Sequence, residues 1–137
     1  FSRPRHSGIR YVTDPPRVAR DKPGGKAPRW QVWMGAAGTL PDDPLLHVCL
    51  VTFASDMTLL DSTLTPHGLA MGKDPVQLAS LDHAMWFHRP FRADEWFLYS
   101  QDSPRAGGNR GLAHGEIFTR DGQLAVTVMQ EGLIRRR

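Results

Sequence analysis

Pro41-Asp42-Asp43-Pro44-Leu45-Leu46-His47-Val48-Cys49-Leu50-Val51-Thr52-Phe53-Ala54-Ser55-Asp56-Met57-Thr58-Leu59-Leu60 is the stretch that decides the fold. It opens with an aspartate suited to capping free backbone N–H groups and a proline suited to a first helical turn. Leu46, Leu50, Phe53, Ala54, Met57 and Leu60 then recur at steps of three and four, which predicts a helix from Leu45 to about Leu60. The nearly unbroken apolar run Val48–Ala54 predicts burial around much of its circumference. On its N-terminal side, Arg29–Ala36 alternates and carries Trp30, Val32 and Trp33, the pattern of a first core strand. On its C-terminal side the period changes to two, and Val76–Arg89, Trp96–Asp102, Arg110–Thr119 and Gln123–Ile134 read as strands. Gly107-Gly108-Asn109 and Arg120-Asp121-Gly122-Gln123 supply turns, the second a hairpin signal because Asp-Gly tolerates positive φ. Strand, helix and four antiparallel strands in a meander make an α+β domain whose sheet curls around one helix.

The 137 residues fit one such domain. Residues 1–28 stand apart as an irregular basic connector, rich in Pro, Gly and Arg, with one edge strand expected at Ile9–Thr13; residues 29–137 form the folded domain. The start Phe1-Ser2-Arg3 lacks Met, which reads as a fragment or a trimmed chain. Charge is divided: residues 1–29 carry a net +6 and the remainder a net −3. A mildly acidic domain argues against a nucleic-acid module, and no apolar run reaches the ~20 residues of a membrane helix. A single cysteine, Cys49, excludes an internal disulfide; it suits a reducing cytoplasm and reads as a small buried hydrophobe.

Ser80-Leu81-Asp82-His83-Ala84-Met85-Trp86-Phe87-His88-Arg89-Pro90-Phe91 concentrates polar and aromatic groups in one strand. Strict alternation puts Asp82 and His83 on opposite faces, and likewise His83 and His88, so these pairs do not converge. No His-x-His or Glu-x-x-His spacing offers a metal site, and no Gly-x-Ser-x-Gly elbow offers a nucleophile. Three quieter residues raise questions. Asp56 stands in the apolar part of the helix, where a buried carboxylate needs donors; the competing reading is a polar face shared with Thr52 and Ser55. Gln130 interrupts the face formed by Val126, Val128 and Gly132, either for chemistry or to satisfy a backbone group. Ser80 reads equally as an ordinary strand serine.

The blocks Arg29-Trp30-Gln31-Val32-Trp33, Phe53-Ala54-Ser55-Asp56, Pro66-His67-Gly68, Leu81–Phe91, Glu95-Trp96 and Gln130-Glu131-Gly132-Leu133-Ile134-Arg135 resemble, in order, the C-terminal half of bacterial acyl-CoA thioesterase II. That resemblance implies a hotdog fold, here half of a double hotdog. It implies hydrolysis of fatty acyl-CoA to free fatty acid and CoA, without metal or cofactor. Its catalytic aspartate, hydroxyl and glutamine fall on Asp56, Ser80 and Gln130, with serine where some relatives carry threonine. The implied partner is an N-terminal hotdog half or a second copy of the chain, giving an oligomer. Two rival functions compete: a non-catalytic acyl-CoA-binding or assembly module, and a hotdog dehydratase. The dehydratase would need a helix histidine facing the acyl chain, and His47 lies far from Asp56.

Overall fold

The computed structural model of the chain describes residues 7–11, 29–64 and 76–136. Strands β1 (Ser7–Tyr11) and β2 (Arg29–Ala36) precede helix α1 (Pro44–Asp56) and a short 3-10 segment (Leu59–Thr63). Strands β3 (Val76–Phe87), β4 (Phe97–Gly107), β5 (Arg110–Phe118) and β6 (Leu124–Arg136) follow. All six pair antiparallel in one sheet of order β1-β2-β4-β5-β6-β3. With α1 packed on one face, this is the α+β hotdog arrangement. Only part of the expected meander exists: β4, β5 and β6 are consecutive neighbours, whereas β3 crosses to the far edge beside β6. Beta-1 lies in the predicted connector, two residues earlier than expected, and pairs with β2 from Ser7↔Ala36 to Tyr11↔Val32. The rest of residues 1–28, and Pro66-His67-Gly68, lie outside the described residues.

Both hairpin turns form as their sequences dictate. Gly108 and Asn109 have φ of 62° and 61° between β4 and β5, and Gly122 has φ of 88° between β5 and β6. Positive φ at consecutive turn residues matches the right-handed twist of the flanking strands. The Thr119 N–H donates to Gln123 O at 2.9 Å, closing the second turn.

Helix α1 starts as its sequence predicts. The Asp43 carboxylate accepts from the Leu45 N–H at 3.0 Å, and Pro44 occupies the first turn. His47, one turn in, is buried: its Nε2–H donates to Pro41 O at 2.8 Å while bare Nδ1 accepts from the Ala93 N–H at 2.9 Å. A buried imidazole with both nitrogens bonded fixes the helix start against the loop before β4. It is a structural group, which removes the one helix histidine a dehydratase would use.

The helix ends at Asp56, short of Leu60, and is less enclosed than its apolar run predicts. His47, Val51 and Ser55 form its buried stripe, whereas Leu45, Phe53 and Met57 are 69%, 71% and 46% exposed. Cys49 lies on that outer stripe and is exposed, contrary to expectation. Spacing by four residues makes 45, 49, 53 and 57 one row, opposite the row that meets the sheet. Val51 joins Val32, Met34, Phe97, Tyr99, Ile117, Val126 and Val128 in the core.

The loop before the helix hangs on an ion pair. Arg92 Nε and Nη2 donate to both Asp94 oxygens at 3.0 and 2.9 Å, and Arg92 Nη1 donates to Asp42 at 2.6 Å. Asp94 also accepts from the Leu40 N–H at 2.7 Å. The Arg92 guanidinium first, then the Leu40 N–H, hold the Asp94 carboxyl down to about 2. An unfolded aspartate binds its proton at about pH 4, so between these values the unfolded chain holds more protons and acid favours it. Stability therefore falls as pH drops from about 4 towards 2, and Asp94→Asn flattens that part of a urea-denaturation pH profile; an unchanged slope contradicts the assignment.

Gly115 on β5 faces the Tyr99 ring so closely that an added Cβ would overlap Tyr99 Cε1. Tyr99 cannot retreat, because it is buried and its hydroxyl donates to the Ser55 carbonyl at 2.9 Å. Gly115→Ala is expected to cost about 2–3 kcal/mol in chemical denaturation, the range of core overpacking; a neutral variant would show that the ring is free to move.

Candidate active site

Three elements bring the site together. Beta-6 supplies Gln130, whose side chain is fully buried on the face shared with Val126, Val128 and Gly132, as alternation predicts. Its amide Nε2 donates to Asp56 Oδ1 at 2.8 Å and to Ser80 Oγ at 2.6 Å. Asp56, Ser80 and Gln130 thus meet at one point, although 24 residues separate the first two and 50 the last two. Asp56 is the last residue of α1 and its side chain remains 58% exposed, so solvent reaches the carboxylate. Gln130 Oε1 is buried without a hydrogen-bond partner among the described residues.

Beta-3 reaches this point through a bulge. Ser80 pairs with Gly132, Asp82 with Glu131 and His83 with Gln130, leaving Leu81 as the extra residue. One inserted residue shifts the side-chain parity, so Ser80 and His83 share the face of Gln130. The Asp82 carboxylate stabilises the irregularity by accepting from the Glu131 N–H at 2.9 Å. Strict alternation places Ser80 with Asp82 and sends His83 elsewhere; the bulge reverses this. The available signal was Asp82 itself, a short acceptor able to bond a neighbouring backbone N–H.

His83 is the residue that sequence reasoning missed. Its Nε2 lies 2.9 Å from Ser55 Oγ, and its Nδ1 lies 4.0 Å from Asp56 Oδ1. Ser55, His83 and Asp56 therefore line up in the order of a serine nucleophile relay. Burial removes the nucleophile: Ser55 is 0% exposed, and its hydroxyl donates to Thr52 O at 2.8 Å. The Ser55 carbonyl accepts from Tyr99, whose hydroxyl is pushed well above its ordinary pKa by burial and secondarily by Asp56. Tyr99 thus stays a donor, and Ser55 serves as an anchor. What remains accessible is a carboxylate and a hydroxyl joined by one amide, which can hold and deprotonate a water.

The 3-10 segment closes over the same strand. An added Cβ at Gly132 would overlap Leu60 Cδ2, and one at Gly111 would lie 2.8 Å from Thr63 Cβ. Glycine at these two positions lets the turn after Asp56 rest directly on β5 and β6, beside Gln130. Among the described residues, no group of three metal-ligating side chains occurs.

Residues 4–133 match the family model described as acyl-CoA thioesterase. The chain is 49% identical to the crystal structure of acyl-CoA thioesterase II TesB2 from Mycobacterium marinum, with a TM-score of 0.80 over 96% of this chain and 50% of that one. It is 45% identical over 126 residues to mouse acyl-coenzyme A thioesterase 8, covering 90% of this chain and 38% of the relative. Acyl-CoA thioesterase 2 of Haemophilus influenzae is 42% identical over 113 residues, covering 82% and 40% respectively. The chain thus spans half or less of the length of these relatives. With nearly its whole length matched, the chain belongs to the acyl-CoA thioesterase family.

Proposed function

We propose that this chain is the catalytic half of a thioesterase that hydrolyses fatty acyl-CoA to free fatty acid and CoA. The observation that carries the reading is the convergence of Asp56 and Ser80 on the one buried amide of Gln130. Because Gln130 donates to both, the Ser80 oxygen is an acceptor there and its own O–H is left to donate. A water accepting from Ser80 and donating to Asp56 keeps one lone pair for the thioester carbon. Asp56 takes its proton as the C–O bond forms; the C–S bond then breaks with its electron pair on sulfur. Prior positioning removes most of the entropic cost of fixing that water. Gln130 is the splint that holds base and hydroxyl at a set spacing. The reading of a non-catalytic acyl-CoA-binding module leaves this convergence without a purpose.

The partner belongs to the same proposal. Beta-3 is an edge strand of 12 residues, with Leu81, Trp86 and Phe87 exposed at 52%, 51% and 42%. The outer row of α1 is exposed as well, and monomers seldom leave such apolar surface uncovered. A second hotdog, either the N-terminal half or another copy of the chain, fits both surfaces. The single cysteine suits a reducing cytoplasm, and no described helix is long and apolar enough to cross a membrane. Residues 29–137 form the catalytic unit, with Ser7–Tyr11 as its outermost strand.

Asp56→Asn keeps an oxygen for Gln130 and removes the base. On the assembled protein, free-thiol release from palmitoyl-CoA should fall at least about 100-fold in kcat with the melting temperature unchanged. Ser80→Ala and Gln130→Ala should likewise lower kcat more than they raise KM. Near-normal release by Asp56→Asn would overturn the reading.

Native mass spectrometry of the chain alone should show a species of twice 15.3 kDa. Phe53→Glu with Trp86→Glu should return it to monomer. A wild-type chain that stays monomeric at tens of micromolar would refute self-pairing through this surface.

A further inference from the structure

We propose that His83 is a positioning residue of this site: one ring nitrogen fixes the helix end that carries Asp56, and the other receives, through Asp56, the proton of the attacking water. The inference rests on the hydrolase reading of Asp56 and adds a residue to it.

The hydrogen bonds set the state of the ring. The Ser55 hydroxyl spends its proton on the Thr52 carbonyl at 2.8 Å, so towards His83 it presents a lone pair. With the hydroxyl turned that way, Nε2 at 2.9 Å carries the ring proton in the proposed state. That leaves Nδ1 bare, buried and without a hydrogen-bond partner among the described residues, 4.0 Å from the carboxylate oxygen that Gln130 holds. The carboxylate oxygen already accepts from Gln130, whereas the bare nitrogen beside it is a buried acceptor left unsatisfied, which is costly. A proton shared between them satisfies the nitrogen. Hydrolysis delivers a proton to that carboxylate in every turnover.

The sequence of transfers balances. The water oxygen bonds to the thioester carbon while its proton passes to Asp56. It moves on to Nδ1 as the two groups close by about 1 Å to hydrogen-bond distance. The C–S bond breaks with its electron pair on sulfur, and the proton returns from Nδ1 through Asp56 to the thiolate. Asp56 is again a carboxylate and the ring is again neutral. In this route His83 acts on the attacking water only through Asp56. The other edge of the ring serves the same end, because Nε2 holds Ser55, the residue next to Asp56 in the chain.

The test separates this from a purely structural histidine. Glutamine can place an amide N–H where Nε2 meets Ser55, yet offers no basic atom at Nδ1. His83→Gln should keep KM and the melting temperature and lose about 10-fold or more in kcat on palmitoyl-CoA. Introduced into Asp56→Asn, it should cost nothing further, since its route is already cut. Wild-type kcat for His83→Gln, or an equal further loss in the Asp56→Asn background, overturns the inference while Asp56→Asn alone still reports on the hydrolase reading. Nitrogen-15 NMR of the wild-type imidazole supplies a measurement independent of variant folding. A protonated Nε2 with a bare Nδ1 supports the proposal, and the opposite tautomer refutes it.

Discussion

The end of helix α1 is pinned to the sheet at Ser55, the residue before Asp56, and the site depends on that attachment. Ser55 gives its carbonyl to the Tyr99 hydroxyl at 2.9 Å and its side chain to His83 at 2.9 Å. One contact comes from β4 and the other from β3, strands separated in the sheet by β5 and β6. A helix C-terminus normally frays, because its last carbonyls lack partners within the helix. Here two side chains from the sheet hold it, and the next residue is Asp56. The carboxylate therefore inherits its position from the sheet more than from the helix. Glycine at 115 belongs to the same device, since it leaves room for the Tyr99 ring that makes one of the two contacts.

Much of the fold was legible because its signals are local. The cap at Asp43, the alternation of Arg29–Ala36 and the two glycine turns each act within a few residues, and each forms as read. Strand order was not legible, because pairing β3 with β6 joins residues such as Ser80 and Gly132 that lie far apart in the chain. Helix exposure was misread for a different reason. An apolar run carries no label saying which molecule covers it, and Leu45, Cys49 and Phe53 look the same in sequence whether a sheet or a partner lies against them.

The candidate site divides in the same way. Asp56 and Gln130 stood out because each breaks an apolar pattern, and a polar group in such a place needs a physical reason. Ser80 carried almost no signal of its own and was reached through family resemblance. His83 faces away from Asp82 and His88 as read, but its place beside Ser80 and Gln130 was not drawn from the sequence. A parity argument holds only while the ladder is regular, and the extra residue at Leu81 reverses every face on one side of it. A polar run such as Ser80–His83 within a strand is where regularity should be doubted first, because Asp82 can replace a ladder acceptor with its own carboxylate.

The burial of the three site residues follows a physical logic. The neutral amide of Gln130 is fully buried, whereas the side chain of charged Asp56 is 58% exposed. Burying an amide that bonds two partners costs little, while burying an unpaired carboxylate is far more expensive, so the positioning work falls to the uncharged group. Asp56 stays wet in the isolated chain. The exposed apolar residues around it, Phe53 and Met57, lie on the row where the proposed second hotdog would seat. Covering that row would displace solvent from beside the carboxylate after the hydrogen bond from Gln130 is already in place. Electrostatic interactions strengthen as water leaves, and a prepaid geometry lets that gain act on the reacting water instead of on reorganisation. On the proposed reading, assembly and catalysis would be joined: the apolar surface that a second hotdog would cover is also the one beside the proposed base.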